Sequence, residues 1–348
     1  MGSMRIIQVG NGNVAKMHRE CFAEKATVIA VIEINLVKRK QAEEEGFPAF
    51  SDIASLPLGL LKEVDLWDIC VPDESHYPMM KKLLQMGFEK ILVEKPICQP
   101  SQIPEMRKLL KRFSNAKICT EDTYASSLVV EIIRKICEKY QVFHPSIVME
   151  QSKNRMQDIV NGRFIDEELG VFALEVPHSL TAITATGDKR SPAVIQNVSL
   201  EDMKLPSGKI LPRQGKGRIV YRTEDDCEVT ILSAMDGDIL HPLQETYTPT
   251  TIPFGDPTRY RIMVLEDGPY KIIGQFEPIP GWPRYKGQVL IYKDGVMINR
   301  IEVEDKPMNR HIAKAIRYFE GEEKNPAPPL EALSLVIFLS EAIKRLGP

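Results

Sequence analysis

The sequence predicts an α/β protein: an N-terminal doubly wound parallel sheet, then an α+β domain on an open, mainly antiparallel sheet. Three observations carry this. Short apolar runs alternate with helical patterns up to about Thr120. Between Ala193 and Val303, Gly- and Pro-marked turns separate closely spaced strand candidates. The 348 residues are long for one hydrophobic core and comfortable for two. The boundary is expected near residue 123, giving segments 4–123 and 124–348, with the C-terminal helix as an element that can return to the first.

In chain order, Arg5–Val9 reads as a buried strand and Asn13–Glu24 as a helix. Thr27–Ile32 is a β-branched strand, and Leu36–Glu45 a charged helix stopped by Gly46. Leu66–Val71 is a third run, followed by a helix over Ser75–Met86 with Gly87 as its stop. Lys90–Val93 and Lys117–Thr120 are further strands around a helix at Ser101–Phe113. Runs that are apolar without alternation suit a parallel sheet buried on both faces. A helix at Ser126–Tyr140 then leads into a strand at Ile147–Gln151, a polar stretch over Ser152–Glu168 and a helix over Val171–Thr186. Strands are expected at Glu228–Leu232, Tyr260–Leu265, Tyr270–Ile273, Gln288–Tyr292 and Val296–Ile301. Asp267-Gly268 and Asp294-Gly295 mark hairpin turns. The chain ends in helices at Met308–Phe319 and Leu330–Arg345.

Composition narrows the partners. A net charge of −3 argues against a general nucleic-acid binder. No apolar run reaches the roughly eighteen residues of a membrane helix. Met1-Gly2-Ser3 reads as an appended leader and is left out of fold reasoning. The six cysteines form no CxxC pair and several lie in apolar runs, which suits reduced thiols in a cytoplasmic protein. The six histidines show no metal-binding spacing, so no metal is expected.

The first strand runs into Gly10-Asn11-Gly12-Asn13-Val14-Ala15, a GxGxxA turn between strand and helix. Gly10 allows the tight turn, Gly12 lets a pyrophosphate approach the backbone, and Ala15 lets the helix pack on the strand. The helix N-terminus offers free N–H groups to phosphate. Glu33 ends the second strand, about twenty residues further on, where an acid binds the adenosine ribose. A carboxylate there favours NAD and repels the 2′-phosphate of NADP. Lys38 and Arg39 read as a solvated helix face, so NAD is the expected cofactor without excluding NADP.

Leu92-Val93-Glu94-Lys95-Pro96 closes the fourth strand. Ligands of parallel sheets bind beyond the carboxyl ends of their strands, and Glu94 and Lys95 emerge there. Taken together, Gly10-x-Gly12-x-x-Ala15-x-x-His18, Pro72-Asp73-x-x-His76 and Glu94-Lys95-Pro96 resemble the Gfo/Idh/MocA oxidoreductase family. The resemblance is strong over residues 5–100. It implies a Rossmann domain followed by an open sheet that assembles homodimers or homotetramers. It places Pro72, Asp73, His76 and Glu94 at the cofactor, and Lys95 at both the substrate hydroxyl and the nicotinamide end. It also implies a cis peptide at Glu94–Lys95 or Lys95–Pro96. Family members usually carry Asn where this chain has Asp73.

The family further implies a histidine on the first long helix of the second domain, in a D-x-x-x-H pattern. His178 matches it; the acid position is Leu174, with Glu175 three residues before the histidine and on the same helical face. In such a site histidine exchanges the hydroxyl proton, lysine steadies the alkoxide and a carboxylate orients the imidazole. Lys153, Arg155 and Arg163 flank a polar loop suited to hydroxyl or phosphate oxygens. Tyr124 lies where the chain passes from one segment to the next. The resulting expectation is hydride transfer between NAD(P) and a secondary hydroxyl or ketone of a sugar, sugar derivative or cyclitol. Two alternatives stand beside it: a cofactor-binding sensor without chemistry, and a redox-neutral NAD-using glycosidase.

Overall fold

The computed structural model describes residues 3–22, 25–162, 165–237, 259–277, 279 and 282–347. Its contacts divide the chain into two compact units: Met1–Thr123 with Met308–Val336, and Tyr124–Pro307 with Ile337–Pro348. The chain passes from one unit to the other at Thr123–Tyr124, and residues 308–336 return to the first.

In the first unit the elements are β1 (Met4–Val9), α1 (Asn13–Phe22), β2 (Ala26–Ile32), α2 (Leu36–Glu44), β3 (Ala49–Phe50) and α3 (Leu58–Glu63). They continue with β4 (Leu66–Ile69), α4 (His76–Gln85), β5 (Lys90–Glu94), α5 (Ile103–Arg112) and β6 (Lys117–Glu121). The strands form one parallel sheet in the order β3-β2-β1-β4-β5-β6. This is the doubly wound order, and its topological switch lies between β1 and β4. The edge strand β3 and helix α3 were not expected; β3 is two residues long and too short to leave a pattern. Local chemistry sets the helix ends. The Asn35 side chain accepts from the N–H groups of Val37 and Lys38 and so caps α2. Pro104 sits in the first turn of α5, where a missing N–H costs nothing. Helix α9 (Pro307–Glu320) adds Ile312, Ala315, Ile316 and Phe319 to a core with Met4, Ile6, Leu66, Leu92 and Cys119.

The second unit holds α6 (Leu128–Tyr140), β7 (Ser146–Ser152), α7 (Met156–Val160) and α8 (Val176–Thr184). Next come β8 (Pro192–Leu200), the short ribbon β9 (Met203–Lys204) and β10 (Ile210–Leu211), then β11 (Lys216–Thr223) and β12 (Glu228–Ala234). Strands β13 (Tyr260–Asp267), β14 (Tyr270–Phe276), β15 (Lys286–Lys293) and β16 (Val296–Glu304) complete it. Among the described residues, eight strands make one sheet in the order β16-β15-β14-β13-β7-β12-β11-β8. Every pair is antiparallel except β7–β12. Helix α6 lies close on this sheet: a Cβ on Gly274 or Gly287 would meet Ile133 at 2.6 Å or Val129 at 2.5 Å. Its N-terminus is held by the Ser127 cap and by Asp305, which accepts from the Ser127 hydroxyl at 2.5 Å and the Leu128 N–H at 2.9 Å. The unit boundary falls inside the last helix, α10 (Pro329–Lys344).

One helix differs from expectation. The segment expected as a helix from Val171 is a 3₁₀ turn at Gly170–Phe172, and α8 starts only at Val176. Pro177 then lies in the first helical turn, where it is tolerated. The predicted polar stretch after Ser152 contains the short helix α7. Trp282 is partly buried against the cluster of Tyr260, Ile262, Val264 and Leu290.

Candidate active site

The phosphate loop leaves β1 at the switch point of the sheet. Gly10 has φ +101°, and a Cβ there would sit 2.3 Å from the Cys70 carbonyl oxygen, so the fold itself demands glycine. Gly12 is different: its Cβ direction is open, with nothing within 4 Å. A glycine that the protein does not need for its own packing leaves room for something else to come close. Asn13 and Val14 are exposed at the start of α1, where N–H groups lack intrahelical partners, while Ala15 is fully buried against the sheet. The loop therefore suits a dinucleotide pyrophosphate.

Glu33 is fixed at the end of β2. Its carboxylate accepts from the N–H of Asn11 and the N–H of Asn35, each at 2.8 Å. Asn11 is itself held, donating to the Lys38 carbonyl and accepting from Arg19. Arg39 is not simply solvated: its guanidinium donates to the Glu33 carbonyl at 3.1 Å. A carboxylate and a cation thus stand together at the end of β2.

Pro72 is exposed and Asp73 buried at the 3₁₀ turn after β4, with Asp73 accepting from the Glu74 N–H. His76 starts α4, fully buried. Its two nitrogens face the Pro96 carbonyl at 2.7 Å and the Val71 carbonyl at 2.8 Å. Burial holds its pKa below the ordinary histidine value, so one tautomer donates to one carbonyl at a time. Its contact with the Pro96 carbonyl supports the Lys95–Pro96 turn. Lys95 is partly exposed after β5, and the Lys95–Pro96 peptide is cis, one of the two alternatives the resemblance implied.

Glu94 is hydrogen-bonded to the buried His18 of α1. Its carboxylate takes a hydrogen bond from His18 Nε2 at 2.9 Å, and His18 Nδ1 lies 3.0 Å from Asp68. His18 and Asp68 are completely buried. Burial pulls the His18 pKa down, but interactions with Cys70 and Asp68 outweigh it and place it well above the usual range. Burial would raise Glu94, yet the His18 hydrogen bond and charge bring it below the ordinary carboxylate value. Glu121, at the end of β6, is pushed well up by burial and by the Glu94 charge. An imidazolium between two carboxylates, with a protonated Glu121 beside Glu94, accounts for these directions. Metal-ligating atoms of His18, Asp68 and Cys70, or of His18, Glu94 and Glu121, also lie within 4.8 Å of one another. The contacts at 2.9–3.2 Å have hydrogen-bond lengths, and we assign them to shared protons. Asp68 and Glu121 were missed from sequence, although an acid inside the run Leu66-Trp67-Asp68-Ile69 was the available signal.

In the second unit, Tyr124 is buried and its ring centroid lies 5.2 Å from that of His178. Burial pushes the Tyr124 hydroxyl up to about 12, so it stays protonated at neutral pH. Arg261 donates to the Tyr124 hydroxyl oxygen and to the Glu175 carboxylate. Glu175 occupies the N-cap position of α8, and its carboxylate serves a cluster of cations. Lys153 Nζ lies 3.7 Å from it and Arg155 Nη2 4.0 Å. Arg155 also pairs with Asp158. Arg163 lies outside the described residues. Arg259 and Arg261 were missed from sequence: β13 carries Arg261 opposite Gln151 of β7, a pairing far apart in the chain.

Residues 4–120 match the profile of the Gfo/Idh/MocA family, described as an oxidoreductase family with an NAD-binding Rossmann fold. No curated protein matches the chain in sequence. Among solved structures, the chain is similar to UDP-N-acetylglucosamine 3-dehydrogenase from Acidithiobacillus ferrooxidans, with TM-score 0.71, 12% identity, and 99% of this chain and 98% of that one covered. It is similar to a dehydrogenase from Bordetella pertussis in complex with NADH and UDP-GlcNAcA, with TM-score 0.72, 13% identity and coverage of 99% and 96%. A mutant 3-ketoreductase from Actinomadura kijaniata, in complex with TDP-benzene and NADP, gives TM-score 0.71, 12% identity and coverage of 99% and 98%. At such identities the likeness is one of fold. Among the described residues, no helix is long and apolar enough to cross a membrane.

Proposed function

Because residues 4–120 match the Gfo/Idh/MocA family of oxidoreductases with an NAD-binding Rossmann fold, we propose that this chain is a nicotinamide-dependent dehydrogenase or reductase. It acts on a secondary hydroxyl or keto group of a sugar, sugar derivative or cyclitol. The observation that carries the reading is Gly12: its open Cβ direction at the switch point, beside the exposed N-terminus of α1, is explained by a pyrophosphate lying against the backbone. Dehydrogenases of sugar nucleotides and a ketoreductase among proteins of the same fold support the substrate class.

The bound nicotinamide supplies the hydride acceptor or donor. The chain's residues do the rest. Gly10 to Val14 receive the pyrophosphate, and Glu33 the ribose hydroxyls. His178 takes the hydroxyl proton during oxidation and returns it during reduction, as suits a group whose ordinary pKa is about 6.5. The Lys95 ammonium steadies the developing alkoxide. His76 positions Lys95 by holding the Pro96 carbonyl. Arg261 and Tyr124 set the surroundings of His178. The protein works in the cytoplasm as a homodimer or homotetramer; exposed Val296, Met297 and Ile298 on edge strand β16 favour assembly through the second sheet.

Calorimetric titration with NADH and NADPH, followed by an absorbance screen of sugars and cyclitols, tests this reading. NADH is expected to bind more tightly, because the Glu33 carboxylate repels a 2′-phosphate. A preference for NADPH would transfer the reading role to Arg39. Failure of both to bind overturns the proposal.

A further inference from the structure

Three cations in the second unit converge on one carboxylate. Arg261 donates to Glu175 Oε2, while Lys153 Nζ and Arg155 Nη2 approach Oε1 at 3.7 and 4.0 Å. The latter two distances are too long for hydrogen bonds. Arg259 lines the same recess with Lys153, Glu175, Tyr260 and Arg261. Among the described residues, the buried Nε atoms of Arg155 and Arg259 have no hydrogen-bond partner. The side chains of Lys153, Arg155, Arg261 and Glu175 are all less than one-fifth exposed. Asp158 takes part of the Arg155 charge, and Glu277 interacts at longer range with Arg259 and Arg261. Among the described residues, the lining carries Lys153, Arg259 and Arg261 against the Glu175 carboxylate, in a chain whose overall charge is −3.

Packing like charges out of water is costly unless an opposite charge joins them. Lys153 registers that cost: burial, aided by Arg155, Arg259 and Arg261 against the pull of Glu175, lowers its ammonium to about 7. Through Arg261 the cluster is joined to Tyr124, and through Tyr124 to His178.

We propose that the substrate of this protein carries an oxyanion, a carboxylate or a phosphate group, which Lys153, Arg155 and Arg259 receive while Arg261 stays on Glu175. This rests on the reading of the second unit as the sugar-binding one. Arginine forks and a lysine ammonium are the groups that recognise such oxygens. The recess is too narrow for a water molecule as it stands, so an anion enters only if the Lys153 side chain moves aside.

The test is calorimetric titration of the intact chain, first with NADH and then, at saturating NADH, with D-glucuronate, D-glucose 6-phosphate and D-glucose. At least one acid is expected to bind tenfold or more tightly than glucose, with that advantage lost in Lys153→Gln and Arg259→Gln. Binding by glucuronate alone identifies a carboxylate substrate, and by the 6-phosphate alone a phosphorylated one. Equal affinity for glucose and both acids overturns the inference. Where no sugar binds or a variant fails to fold, acetylation of Lys153 by acetic anhydride in the wild-type protein decides. Slowing by inorganic phosphate or glucuronate, but not glucose, supports the oxyanion site; unchanged labelling overturns it. NADH binding without any anion effect removes this inference alone, whereas absence of NADH binding removes the dinucleotide reading.

Discussion

His18 Nε2 donates to Glu94 Oε1 at 2.9 Å, and that one contact joins the helix that follows the phosphate loop to the strand end that carries Lys95. Asp68 holds the other side of the ring at 3.0 Å. Replacing His18 by Gln leaves two buried carboxylates without their shared cation. The expected loss is about 3–5 kcal/mol of stability in urea denaturation, the scale for breaking a buried ion pair.

The same network sets a pH dependence. His18 has its folded pKa raised, so its stabilisation is fully present below about 6.5 and is lost as pH rises through the folded value. Glu121 is raised too and acts in the same direction, with its contribution present below about 4.3 and fading as pH rises. Glu94 is lowered, so its contribution is present above about 4.3 and is lost as pH falls. Stability should therefore decline from about pH 6.5 upward, and His18→Gln should flatten that decline. Denaturation midpoints between pH 6 and 9 check this; an equal slope in both proteins would remove His18 as its source.

The two glycines of the phosphate loop should respond oppositely to the same substitution. Gly10→Ala drives a methyl into the Cys70 carbonyl at a positive φ and should lower the melting temperature by several degrees. Gly12→Ala places its methyl where no protein atom lies within 4 Å and should leave melting nearly unchanged while weakening NADH binding at least tenfold. Thermal melting and titration of the two variants separate the roles.

Lys95→Ala and His178→Ala should each lower kcat by roughly 10²–10⁴, the range for loss of a general acid–base or charge-stabilising group. NADH affinity should stay within a few-fold of wild type in His178→Ala. Near wild-type turnover in both variants, measured on any working substrate, would remove the proposed mechanism.

Asp305 supports α6 from a distant part of the chain, accepting from the Ser127 hydroxyl and the first helical N–H groups. Asp305→Ala should cost about 1–2 kcal/mol in denaturant unfolding, as expected for a lost cap and a lost favourable charge at a helix N-terminus. Asp305→Asn should recover part of it.

Much of the first unit was legible because its signals are local. The GxGxxA turn, the apolar strands and the Glu94-Lys95-Pro96 end of β5 each lie within a few consecutive residues. Strand β3 has two residues, and β8 is largely exposed with Val194 in solvent, so neither shows a period that could be read. The late start of α8 was hidden because the preceding 3₁₀ turn places Val171 and Phe172 in the core with helix-like apolar spacing. The role of Glu175 was illegible for a different reason. Its partner Arg261 comes from β13 and reaches it through the pairing of β13 with β7, a long-range register that one sequence does not display.

The membership of residues 308–336 in the first unit has a consequence for how the protein is made. A ribosome finishes β6 about two hundred residues before α9 is synthesised, roughly ten seconds or more at ordinary elongation rates of about 5–20 residues per second. During that interval the sheet exposes the apolar surface of Met4, Ile6, Leu92 and Cys119 that Ile312, Ile316 and Phe319 later cover. The nascent first unit is thus an unfinished body with an uncovered apolar face. A message truncated before α9 yields a product without the full core.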